Sequence, residues 1–234
     1  MGKKTNFIIL LTIVAVFVIS AFVSIKNTID ESTKERQRIA FEERKAFIAD
    51  SIATQMAFIT DSIAREDSIV NAQRNAEIIR THKNLFRECN DEFNDVVWYI
   101  PKSAPRYVNM NGVYCYFEAK SSNFRFKFQY HADDWLFIDN LIFNIDGENI
   151  TIVPDMKRDC GNGGRIWEWC DENINNDRAT LNEYFIKKIA NAKTVKIRMN
   201  GSQYYNTRVL TAAQIKSIKN TYEYYIALGG KFEY

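Results

Sequence analysis

The sequence predicts an α+β protein in three parts: an N-terminal transmembrane helix, a long helical stalk, and an antiparallel β-sheet or small sandwich domain with two late α-helices. Three observations predict it. Residues 5–25, TNFIILLTIVAVFVISAFVSI, hold no charged side chain. Residues 26–94 hold no proline and no glycine. From about Asp95 the apolar residues alternate with polar ones instead of recurring at helical spacing. The parts are therefore 1–25 (cytoplasmic tip and anchor), 26–94 (stalk) and 95–234 (β-rich head).

The uncharged stretch is long enough to stay in a membrane. At about 1.5 Å per residue a helix over 5–25 crosses a hydrocarbon core of roughly 30 Å. A cleaved export signal has a shorter apolar region and ends in a small-x-small site. Here Ile19 precedes Ala21 and Phe22 precedes Ser24, so neither pair suits cleavage. The first cysteine is Cys89, which excludes a lipidated N-terminus made by processing near the span. Lys3 and Lys4 precede the span, while Lys26 is soon offset by Asp30 and Glu31. The positive-inside rule then puts the N-terminus in the cytoplasm and the rest outside it, in the periplasm of a bacterial envelope. The chain carries 31 basic and 29 acidic residues. That balance gives no electrostatic footprint for nucleic acid.

The stalk repeats. Asp50-Ser51-Ile52-Ala53 returns as Asp61-Ser62-Ile63-Ala64, eleven residues on. Large apolar residues fall at Phe41, Ile48, Ile52, Ile59, Ile63 and Val70. Steps alternating between seven and four average 3.67 residues per turn and hold a nearly straight stripe on one helix. Such a stripe needs cover, and a parallel bundle of identical stalks, a coiled coil, supplies it. The expected helix runs over 27–90.

In the head, NFRFKFQYH places Phe124, Phe126, Phe128 and Tyr130 on one face and Arg125, Lys127, Gln129 and His131 on the other. That is a half-buried antiparallel strand. Val113, Cys115 and Phe117 share a face, as do Val195, Ile197 and Met199. WLFIDNLIFNID offers Trp135, Phe137, Leu141, Phe143 and Ile145, with Asp139 marking a bulge. Asp146-Gly147 reads as a hairpin turn. Thr180 with Glu183 and Thr211 with Gln214 read as capping boxes of the two helices, and Gly229-Gly230 ends the second.

ADDWLFI (132–138), IWEW (166–169) and RMNGSQYY (198–205) together resemble an uncharacterised domain of exported and phage-associated bacterial proteins, over about 96–230. Cys170 stands where that pattern has an aromatic. The DSIA-rich stalk resembles those of envelope proteins from the Bacteroidetes. The resemblance implies placement outside the cytoplasm and supplies no mechanism; a phage-derived exclusion factor is one role it suggests.

Chemistry-bearing motifs are sparse. G-x-S-x-G, C-x-x-C, H-E-x-x-H and the phosphate-binding loop are absent. No cofactor or metal is expected; His131 with Asp133 and Asp134 reads as a strand-end turn. Arg125, Lys127, Lys196 and Arg198 form a basic patch for an anionic glycan or lipid headgroup if their strands are neighbours. Trp98, Trp135, Trp167 and Trp169 could line a sugar site, with Trp167 or Trp169 exposed. Cys160 and Cys170 are close enough in sequence for a disulfide across a glycine-rich loop. The preferred reading is a non-enzymatic head held off the membrane for binding or assembly with an envelope partner. The rival is a hydrolase using Asp133, Asp134 and Glu168.

Overall fold

The computed structural model describes residues 31–119, 121–161, 163–174 and 181–232. The expected anchor and Thr180 lie outside them. Among the described residues no helix is long and apolar enough to cross a membrane. The chain divides into two compact units, Met1–Asp67 and Ser68–Tyr234. The described part of the first is helical throughout, as its lack of breakers dictates. That helix, α1, has the bounds Glu31–His82.

The second unit is α+β. A one-turn 3₁₀ segment, Lys83–Leu85, follows α1. Then come β1 (Phe86–Asp91), β2 (Val96–Pro101), β3 (Gly112–Glu118), β4 (Phe124–Ala132), β5 (Ile138–Ile145), β6 (Glu148–Ile152), β7 (Lys157–Cys160) and β8 (Ile166–Asn173). After these lie α2 (Glu183–Asn191), β9 (Val195–Gly201), β10 (Tyr205–Val209) and α3 (Ala212–Ala227). Two sheets form, in the orders β1-β2-β3-β4-β8-β7 and β10-β9-β5-β6. Every pairing is antiparallel.

The alternation read from the sequence sets the core. Phe124, Phe126, Phe128, Val113, Cys115 and Phe117 are buried on one face of the first sheet, and Leu141, Phe143, Val195 and Ile197 on one face of the second. Helix α2 joins them: the Phe185 ring meets Phe126 of β4 at 5.7 Å and Phe143 of β5 at 4.9 Å, both edge-on. Helix α3 covers the first sheet's other end, where Tyr225 lies edge-on to Phe117 and Phe124. Asp146 and Gly147 both take positive φ, 49° and 97°, as the two-residue hairpin between β5 and β6 requires. Thr211 and Gln214 form the expected capping box of α3. The cap of α2 is Asn182, whose Oδ1 accepts from Phe185 N.

Two expectations are corrected. The helix stops at His82, and residues assigned to the stalk form β1. Phe86 is the cause: its ring packs on Tyr224 at 4.9 Å and Phe117 at 6.2 Å, and its strand pairs with β2 from Pro101 to Val96. The second concerns Trp135 and Phe137, expected in the core. Leu136 and Ile138 are buried instead and Phe137 stands outside. The bulge expected at Asp139 is present between Ile138 and Asn140, and it shifts the parity of every residue before it.

Candidate functional site

The link from β4 to β5 is held by one carboxylate. Glu168, inward on β8 and fully buried, accepts from Leu136 N (2.9 Å), Phe137 N (2.8 Å) and Ile138 N (2.8 Å). Three successive amides converging on one anion make a nest. Arg158 of β7 balances the charge, with Nε 3.0 Å from Glu168 Oε2 and Nη2 donating to Ile138 O at 2.8 Å. Gly201 closes the other side. A Cβ there would lie 1.8 Å from Leu136 O, so only glycine lets β9 pass. The three segments ADDWLFI, IWEW and RMNGSQYY thus meet at one point.

This scaffold displays aromatic rings. Phe137 sits at φ 55°, a conformation that costs a non-glycine residue about 1–3 kcal/mol. Phe137 is 48% exposed, and its ring stacks on Trp135 at 5.5 Å. The Arg158 guanidinium lies 5.8 Å from the ring centre. Ile138 pairs in register with Gly201, whose N–H donates to Tyr204 O at 2.8 Å. Tyr204 and Tyr205 are exposed, and Arg198 lies 4.0 Å over the Tyr205 ring. One end of the second sheet therefore carries Trp135, Phe137, Tyr204 and Tyr205 with two guanidinium groups. Along the outward face from there, the paired positions of β5, β6, β9 and β10 hold Lys196 and Arg198 and no carboxylate.

The basic patch is not formed as expected. Arg125 and Lys127 belong to β4 of the first sheet, Lys196 and Arg198 to β9 of the second. The first two are spent: Arg125 Nε and Lys127 Nζ lie 2.7 and 3.0 Å from Asp171 of β8. Tyr116 donates its hydroxyl to the same carboxylate. Burial pushes the Asp171 carboxyl up, but the Arg125 hydrogen bond, the Lys127 charge and Tyr116 outweigh it and hold it below the ordinary 3.8. Lys196 and Arg198 are exposed and have no acidic partner among the described residues.

The other expected residues do not converge. Trp167 and Trp169 are half-buried on the outward side of β8, and two strands separate them from Trp98 on β2. Asp133 and Asp134 are exposed, Asp133 lying 4.0 Å from Arg165, while Glu168 is sealed inside. The three proposed carboxylates therefore share no cleft. His131 is held through its backbone, which exchanges two 3.1 Å hydrogen bonds with the Asn111 side chain. Among the described residues no group of His, Cys, Asp or Glu could hold a metal ion.

All four cysteines are free. Cys160 pairs with Ile166 and Cys170 lies four residues further along β8. At about 3.3 Å per residue that is roughly 13 Å, beyond the reach of roughly 7 Å between bridged Cα atoms. The expected Cys160–Cys170 disulfide is thus excluded. Burial pushes the Cys170 thiol up to about 12.

No family model, curated protein or solved structure matches the chain.

A depression of about 410 Å³ lies at the opposite end of the second sheet, by Ile145, Asp146 and Tyr184. Its cations are committed, Lys188 to Glu148 and Lys187 to Glu183. The aromatic end is the better site because its rings and Arg198 face water. Sequence reading missed the buried role of Glu168. The signal was present: Glu168 shares strand parity with Ile166 and Cys170, an inward position where an acid must be satisfied.

Proposed function

We propose that this is a single-pass envelope protein whose head binds an anionic glycan through Trp135, Phe137, Tyr204, Tyr205 and Arg198. Residues 5–25 anchor it with the N-terminus in the cytoplasm, and the helix after them carries the head outside. One observation carries the binding reading. A fully buried, fully hydrogen-bonded carboxylate holds Phe137 in a strained conformation with its ring open to water. Strain maintained by such support at an exposed aromatic residue marks a preorganised contact surface. Flat aromatic rings offer faces to the apolar sides of sugars, and a guanidinium prefers carboxylate or phosphate. Lys196, on the same outward face as Arg198, extends the same preference along the sheet.

Titration calorimetry with acidic and neutral oligosaccharides tests this. The acidic series is expected to bind, and Phe137→Ala, Tyr205→Ala or Arg198→Ala to weaken it at least about tenfold with unchanged melting. Equal binding by these variants, or no binding to any glycan, would sink the reading. Mass spectrometry of the purified protein with protease protection in intact cells tests the anchor. A mature chain beginning near Phe22 would overturn it.

A further inference from the structure

Helix α1 carries a second apolar line. The first, expected from the sequence, includes Ile52 and Ile63, exposed by 49 and 41%. The second is Phe47, Phe58 and Ile69, exposed by 76, 73 and 59%. Its steps are also eleven residues. At that period each residue turns the helix by about 98°, so Phe47 lies about 100–130° around from the members of the first line. Both lines are therefore straight, and they face different directions.

We infer that α1 associates with two neighbouring copies of itself, so that the protein is at least trimeric. A helix about 10 Å across meets one neighbour along one strip. One partner can bury one line; the other then needs a second partner. The occupant must be a helix with the same eleven-residue beat over some thirty residues. A further copy of α1 has that beat, and closed symmetry supplies one copy on each side.

Charge permits the assembly. Residues 46–60 contain one charged residue, Asp50. Identical helices in register can thus approach there with little like-charge repulsion. Ala49, Ser51 and Ser62 border the lines and allow close approach. Apolar area is available to both neighbours. Nine large apolar side chains stand exposed between Ile39 and Val70. At on the order of 100 Å² each they offer roughly 900 Å², about 450 Å² to each neighbour, and the flanking small and polar side chains supply the rest of the about 800 Å² per partner of a stable interface.

The test is native mass spectrometry of the full chain in detergent micelles, with lysine cross-linking in the native membrane. The wild type is expected at three or more chains. Phe47→Asp with Phe58→Asp, which leaves one line, should reduce it to two. Ile52→Asp with Ile63→Asp should reduce it to two or one. Circular dichroism of each variant should show unchanged helix content, so that loss of assembly is not loss of fold. A wild type of one or two chains, or one chain complexed with another protein, overturns the inference. So does a Phe47/Phe58 variant that keeps the wild-type mass.

Discussion

Glu168→Ala removes the support of the display loop, and its effect can be worked from the contacts. Three backbone amides lose a charged acceptor at 2.8–2.9 Å. Phe137 is part-exposed, so water can satisfy its amide. Leu136 and Ile138 are buried and their amides are left orphaned. Each orphan costs about 1–3 kcal/mol. Arg158 loses its carboxylate as well, but its side chain is 35% exposed, so water can serve the guanidinium and this loss adds only about 1 kcal/mol. These losses overlap, so about 4 kcal/mol is expected, a large share of the stability of an ordinary domain. Glu168→Gln keeps the oxygen that serves Leu136 and Phe137 but turns an N–H₂ toward Ile138 N and Arg158; about 2 kcal/mol is expected. Urea melts followed by tryptophan fluorescence measure both. Arg158→Ala added to Glu168→Ala should cost little more, because one network is broken once. A Glu168→Ala loss below about 1 kcal/mol, or full additivity with Arg158→Ala, would refute the idea that this carboxylate holds the loop.

Two further outcomes are expected. A fragment of residues 68–234 should fold, whereas 95–234, which lacks Phe86 and its ring contacts, should melt roughly 10 °C lower in calorimetry. Asp171 is depressed in the folded state, so its ionised form favours folding, and that contribution is complete above its ordinary 3.8 and lost as pH falls through and below it. The stability gap between wild type and Asp171→Asn should therefore be flat between about pH 5 and 8 and close below about pH 4, as read from urea melts across that range.

Local rules made much of the head legible. Alternation placed Phe124, Phe126 and Phe128 inside, Asp146-Gly147 made its hairpin, and Thr211 with Gln214 capped α3. These features depend on residues a few positions apart. The errors came from longer range. Nothing between His82 and Phe86 breaks a helix; β1 exists because Phe86 finds Tyr224 and Phe117. Arg125 was assigned correctly to the outward face, yet that face is not simply solvated. Asp171, 46 residues away, pairs with it at 2.7 Å. The display loop joins residues 30–32 positions apart through Glu168, a convergence no local pattern encodes. The bulge at Asp139 was foreseen, but its effect on the residues before it was not. Carrying the parity change back through Ile138 would have turned Phe137 outward.

The passage from α1 into β1 takes three residues, Lys83–Leu85. Any mechanical load drawn along the chain from its N-terminal side must enter the head there. Leu85 O is tied to Lys102 N at 2.9 Å, and Phe86 to Asp91 form six rungs against β2. β1 is an edge strand, so it can yield while β3, β4 and β8 keep one another as neighbours. A pull therefore meets a sacrificial strand first. Such a pull peels six rungs and lengthens the link to α1 while Phe124 and Phe126 stay sealed, and with them the nest around Glu168.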